Sequence, residues 1–311
     1  YFKKATMQIN KSTTVGQIVA YEFQTAKIFE KYNIDFCCKG HIHLEDACKQ
    51  KQINYEELVT QLLTEINSKS PKSGNPIALN PIQLIDHIIS KHHRYIINSI
   101  PSITSFLTKL SSVHGHKHQE LHQIRSEFTQ ATNELADHMR KEELVLFPII
   151  KNLYKLKKDS YKVSTELNNA IIHPIKTMMH EHEIEVERFE SIKLLSSQYT
   201  GPEDGCITYH VTYKMLKDFH QDLHEHIHLE NNVLFPMALK LEMEVSSLSI
   251  ENGVEEIETW MRSNLMATEI QVSDARQPFY EQPAGVRHGH YSADDLCRHL
   301  ALVSHVRRLR L

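Results

Sequence analysis

The stretches "HMRKEELVLFPII" (His138–Ile150) and "HIHLENNVLFPMA" (His226–Ala238) stand about ninety residues apart and share a His, a Glu four positions later, and then V-L-F-P. Residues four apart lie on one face of a helix, so His138 projects beside Glu142 and His226 beside Glu230. A single His/Glu pair at this spacing is common on helix surfaces. Two copies followed by the same apolar run are not, and the flanking Leu, Val and Phe turn both faces into a protein interior. Bare carboxylates cost several kcal/mol each there unless they are paired or bound to a cation. Two glutamates facing each other would repel, and a bridged pair of metal ions removes both objections. Pro148 and Pro236, just beyond the pairs, each delete a backbone hydrogen bond and are expected to bend their helices.

Working outward, four long helical patterns surround these motifs. The first opens at Asn80, a good N-cap, with Pro81 at the first helical position, and runs to about Leu110. The second covers about His118 to Tyr154. The third is "NNAIIHPIKTMMHEHEIEVERFESIKLL", followed by the turn-rich "TGPEDG", and the fourth covers about Ile207 to Leu241. Four such helices predict an all-α protein built on an antiparallel bundle. A two-ion site needs ligands from the other two helices as well. On the third, His182 falls in phase with the apolar stripe Ile175, Met178, Met179, Val186, Phe189, whereas His173 and His180 fall off it. On the first, the stripe Ile82, Ile85, Ile89, Ile96 admits His93, with His92 a near neighbour that stays open and His87 pointing elsewhere. Imidazole with carboxylate suits iron, and also zinc, copper or nickel; the absence of thiolate argues against an iron-sulfur cluster at this place.

The remainder of the chain sets bounds. With 35 Lys+Arg against 39 Asp+Glu, and a net charge of -4, no global field favours nucleic acid or an anionic membrane. No apolar run reaches the length of a membrane-spanning helix, and the start lacks the apolar centre of a secretory signal, so a cytoplasmic protein with reduced thiols is expected. Tyr1 opens the chain and Met7 stands just before a plausible fold start, so residues 1–6 read as preceding an initiator. Residues 7–68 read as a small helical domain, with "TVGQIVAYEFQTAKIFEKY" and "INYEELVTQLLTEI" flanking "NIDFCCKGHIHLEDAC". Residues 69–79 read as a polar linker, 80–243 as the bundle, and 244–311 as an atypical extension, fused or out of frame, in which lysine vanishes and arginine becomes frequent. The five cysteines make no disulfide framework. Cys37 and Cys38 are too close to bond each other without strain, and beside Lys39 and His41 their thiols are expected to have lowered pKa values. The tract "HGHKHQELH", His114 to His122, reads as a solvated loop and helix start. No phosphate-binding glycine loop, Ser-His-Asp constellation or nucleic-acid module is present.

The motifs "YNIDFCCKG", "LIDHIISKHHR", "HMRKEELVLFP", "MMHEHE" and "HIHLENNVLFP" together resemble the iron-sulfur cluster repair di-iron family, whose bundle is hemerythrin-like, over about residues 12 to 241. The resemblance implies a non-haem di-iron centre with His93, His138, His182 and His226 as terminal ligands and Glu142 and Glu230 as bridging carboxylates, with an oxo bridge in the oxidised form. It favours His93 over His92. It implies that Glu134 and Glu181 line a polar path to the metals, and that Cys37 and Cys38 take part in thiol chemistry. The implied role is restoring iron-sulfur clusters damaged by nitric oxide or oxidants by supplying ferrous iron. Damaged iron-sulfur proteins or cluster-assembly proteins would be the partners, O2 or NO the small ligands, and a homodimer is compatible with it. The other readings are a reversible O2/NO carrier or sensor and an NO or peroxide reductase. Lys39 stands where the family often has a second glycine.

Overall fold

A computed structural model describes residues 7–68, 79–158 and 170–245. The polar stretch at 69–78 and the arginine-rich extension beyond 245 lie outside them. All described residues belong to one compact unit, and among them there is no strand, only an isolated bridge between Thr14 and His43. The N-terminal segment holds α1 (Val15–Tyr21), α2 (Ala26–Lys31), α3 (Leu44–Lys51) and α4 (Tyr55–Asn67). Thr14 opens α1 with a reciprocal cap to Gln17, and Asn54 caps α4. The periodic stretch from Thr14 to Tyr32 is not one helix. It breaks at Glu22, whose backbone is extended, and resumes through a 3₁₀ turn at Phe23–Thr25.

Four long helices follow, three of them interrupted by a single π turn. The first is α5 (Pro81–Ile88), a π turn at Ile89–His93, and α6 (Arg94–His114). Asn80 caps it, accepting from the Gln83 amide while the Gln83 side chain returns to the Asn80 backbone. The second is α7 (Glu120–Lys141), a π turn at Glu142–Leu146, and α8 (Phe147–Lys158). The third, α9 (Ile172–Leu195), is continuous, and the fourth is α10 (Ile207–Leu229), a π turn at Glu230–Leu234, and α11 (Phe235–Val245). In the second and fourth helices the cause is legible. Pro148 and Pro236 lack the N–H that an α-helix would direct back to residues 144 and 232, so the ladder is broken there and widens by one residue.

The bundle core comes in two apolar layers. One is built by α6, α7, the second half of α9 and α10, and includes Ile103, Phe128, Phe189 and Phe219. It continues without a break into the N-terminal segment through Val15, Ile18, Phe29, Phe36 and Leu44, so that segment and the bundle share a core. The other is built by α5, α8, the start of α9 and α11, and includes Ile85, Phe147, Ile175 and Phe235. Each of the four helices passes from one layer to the other. His93, His138 with Glu142, His182, and His226 with Glu230 fall near those crossings, forming a polar slab between two oily ones.

Candidate metal centre

The slab brings all six of these side chains together, each 3% exposed or less. Their donor atoms form two groups whose members lie within 4.8 Å of one another: His93, Glu142, His226 and Glu230 in one, and His138, Glu142, His182 and Glu230 in the other. The glutamates are common to both. Glu142 turns Oε2 toward His93 Nε2 at 3.5 Å and Oε1 toward His138 Nε2 at 3.3 Å. Glu230 turns Oε1 toward His226 Nε2 at 3.0 Å and Oε2 toward His182 Nε2 at 3.2 Å. The imidazoles close each group, with His93 and His226 Nε2 atoms 3.1 Å apart and those of His138 and His182 2.9 Å apart. His92 belongs to neither group. It is buried, bonds Asp222 through Nδ1 at 3.0 Å and stacks on the His226 ring.

The residues present fit a pair of cations. Both oxygens of buried Glu142, and Oε2 of Glu230, have no hydrogen-bond partner, an expense that a cation between them would remove. Burial by itself would push Glu230 up, yet His226, His182 and His93 draw its carboxyl well below the usual range. Burial likewise works against charge on His138, but Glu142 and Glu181 raise it to about 10. Four imidazoles and two carboxylates are the hard-to-borderline donors that iron and other first-row divalent ions accept.

Outer partners fix the ring orientations, as metal-binding imidazoles require. His93 Nδ1 meets Glu143 at 2.7 Å, His138 Nδ1 meets Glu181 at 2.7 Å, and His182 Nδ1 meets the Asn231 side-chain oxygen at 2.9 Å. Glu143 and Asn231 each directly follow a shared glutamate, so the repeat extends one residue beyond the pattern read from sequence. That adjacency was the available signal for both. A cavity of about 220 Å³ opens beside the second group, lined among others by Glu134, His138, Lys141, Glu181, His182 and Glu185. Glu134 sits at its margin, paired with Arg188 at 3.0 Å; Glu181 is held between His138 and Lys141. Glu185, one turn past His182, was not singled out from the sequence. Burial pushes its carboxyl up to about 7, and Glu134 adds to this against the pull of Arg188.

Cys37 and Cys38 lie in the loop between α2 and α3, both buried. Asp35 accepts from both their amides, at 3.0 and 2.9 Å, and from the Cys37 thiol at 3.2 Å. The expected lowering of their pKa values is reversed. The neighbouring Cys38, burial and the Asp35 charge hold the Cys37 thiol well above its ordinary value. For Cys38 the contact with Cys37 lowers the pKa, but burial and the charges of Asp35 and Glu183 outweigh it, and Lys39 acts only weakly in the other direction. Asn231 spans the gap to the centre. Its oxygen meets His182, and its amide donates toward the Cys37 carbonyl at 3.4 Å and the Cys38 sulfur at 3.9 Å.

Comparison with known proteins is consistent with this geometry. Residues 84–238 match the hemerythrin HHE cation binding domain, and residues 11–65 match ScdA_N, described as a domain of unknown function. A probable iron-sulfur cluster repair protein of Haemophilus influenzae is 32% identical over 68% of this chain and 90% of its own length. Iron-sulfur cluster repair protein YtfE of Pectobacterium atrosepticum is 32% identical over 74% of this chain and 98% of its own. The chain belongs to the iron-sulfur cluster repair protein family. Iron-sulfur cluster repair protein ScdA of Staphylococcus haemolyticus is 30% identical over 73% of the chain and 98% of its own length. Within that family assignment, the paired clusters occupy the cation-binding domain and the cysteine loop occupies the ScdA_N match. Among the described residues no helix is long and apolar enough to cross a membrane.

Proposed function

We propose that this chain repairs iron-sulfur clusters damaged by nitrosative or oxidative stress by holding two iron ions between His93, His138, His182, His226, Glu142 and Glu230 and releasing ferrous iron to a damaged cluster in the cytoplasm. The observation that carries the reading is that Glu142 and Glu230 each offer one oxygen to either group, which is what a shared pair of ions needs. When bound, iron supplies a reversible one-electron change together with a transferable cargo. Glu143, Glu181 and Asn231 keep three of the imidazoles aimed with Nε2 inward. The apolar layers cover the slab on either side, and the cavity beside His138 and His182 is its opening. Glu181 and Glu185 line the cavity with carboxylates, and acidic walls suit the passage of a cation better than that of uncharged O2 or NO. Glu185, poised near neutrality, can exchange a proton as a cation passes. The recipients would be damaged iron-sulfur proteins or the proteins that assemble their clusters.

The test is transfer itself. Iron-loaded chain is mixed anaerobically with an inactivated iron-sulfur hydratase, and both hydratase activity and residual iron on the chain are followed. Recovery of activity with matching loss of iron is expected, and Glu142→Ala and Glu230→Ala chains should neither retain two irons nor restore activity. Iron that stays bound with a stable O2 adduct would favour the carrier reading. Repeated conversion of NO to nitrous oxide with a supplied reductant would favour an enzyme.

A further inference from the structure

A further group of side chains that could hold a metal shares no member with the polar slab, and the repeated motif does not account for it. His220 and His224 stand one turn apart on α10, with Glu190 of α9 facing them. The two Nε2 atoms approach to 3.0 Å, and Glu190 Oε1 lies 3.8 Å from that of His220. All three donor atoms lie within 4.8 Å of one another. Two nitrogens bound to one tetrahedral zinc-like ion at about 2.0–2.1 Å each are separated by about 3.3 Å, so the imidazole pair needs to open by only a few tenths of an ångström, while the partly exposed Glu190 side chain has to close in further.

The surroundings treat His220 as a ligand is treated. Its Nδ1 meets the Tyr199 hydroxyl at 2.8 Å, and that hydroxyl reaches the Phe189 carbonyl at 3.4 Å. If Nδ1–H donates to the hydroxyl and the hydroxyl donates to the carbonyl, Nε2 of His220 is left bare and directed at His224 and Glu190. This is the outer-partner arrangement that fixes the tautomer of metal-bound imidazoles. The Tyr199 hydroxyl is delivered by a costly turn: Ser197, Gln198 and Tyr199 all have left-handed backbones, with φ of 48°, 60° and 61°. Phe189 and Phe36 pack against the two rings. Glu190 is partly exposed, its side chain 42% accessible, and it also pairs with Lys193 at 3.0 Å, leaving solvent access for an ion and its remaining water ligands.

We propose that Glu190, His220 and His224 form a separate site for one exchangeable divalent transition-metal ion of the zinc or ferrous class, with Tyr199 positioning His220. The test uses the full chain, loaded anaerobically with iron and then titrated with Co(II), whose visible absorption reports the nitrogen and oxygen ligands around it. One further equivalent is expected in the unmodified chain, none in His224→Gln, and binding about tenfold weaker in Tyr199→Phe, with iron content equal in all three. His116→Ala, in the surface histidine tract, should keep the extra equivalent. Equal Co(II) uptake by the unmodified and His224→Gln chains would overturn the proposal. Should His224→Gln fail to fold, as shown by lost helix signal and lost iron, Tyr199→Phe decides, and unchanged Co(II) affinity there overturns it. If the slab takes no iron at all, the readout remains the Co(II) difference between these chains, so failure of the repair reading stays distinct from failure of this one.

Discussion

Asn231 shows how one side chain can tie together two pieces of chemistry. Its counterpart in the first motif copy is Glu143, and both support an imidazole across the bundle. Asn231 is neutral, however, so its amide can also donate toward the cysteine loop, which a carboxylate could not. Replacing Asn231 by Ala should weaken metal retention about 10-fold or more, read as faster iron loss to a chelator, while the two-ion stoichiometry at saturation is kept. Glu143→Ala should do the same through His93. If either chain releases iron at the unmodified rate, these side chains do not hold the rings. Adjacency to a shared glutamate marks both positions in the sequence, but not the imidazole each one meets, because a hydrogen bond between helices about fifty residues apart leaves no periodic trace.

At the scale of elements, the π turns at Ile89–His93, Glu142–Leu146 and Glu230–Leu234 coincide with the candidate ligands, in keeping with the frequent placement of such turns at functional sites. The prolines after the second and third of them were visible in the sequence, and so was a bend. That the local outcome would be a π turn was not, and the first π turn has no proline to account for it. The helix ends carry their own electrostatics. Glu242 on α11 accepts from the Ile171 amide at 3.1 Å, holding the start of α9, and burial raises its carboxyl to about 7, with those backbone amides acting against the shift. In the unfolded chain it would titrate near about 4.3. Between those values the folded state binds the extra proton, so this group's contribution to stability is lost as pH rises through the window and stays lost above about 7. Glu242→Gln cannot ionise. It should match the unmodified chain near pH 4 and exceed it near pH 8 by on the order of 1–2 kcal/mol, measured by urea unfolding at both pH values. Equal pH dependence in the two chains would show that Glu242 is not buried in this way.

Over the whole molecule, the N-terminal segment is locked to the bundle by a close fit around Asn232. Its amide donates to the Phe36 and Cys37 carbonyls at 3.2 and 2.9 Å. A Cβ added at Gly40 would stand 2.2 Å from its side-chain oxygen and 2.6 Å from the Phe36 carbonyl. Gly40→Ala should therefore cost on the order of 1–3 kcal/mol and loosen the cysteine loop, seen as faster reaction of Cys37 and Cys38 with a thiol reagent. Exposed Cys206 supplies the internal reference, and an unchanged rate would show that the fit at Gly40 does not protect the pair. The same contact separates the two motif copies, since Leu144, the counterpart of Asn232, is 66% exposed. The sequence by itself determined the all-α class, the four long helices and the inward-facing His138, Glu142, His182, His226 and Glu230, because helical period and the cost of buried charge act locally or within a repeated pattern; between His92 and His93, both buried, helical phase left the choice open. Only the tertiary structure decided the direction of the cysteine pKa shifts, the supporting roles of Glu143, Glu181 and Asn231, and the grouping of Glu190 with His220 and His224. Those depend on which groups from distant helices meet, and on how much water is removed when they do.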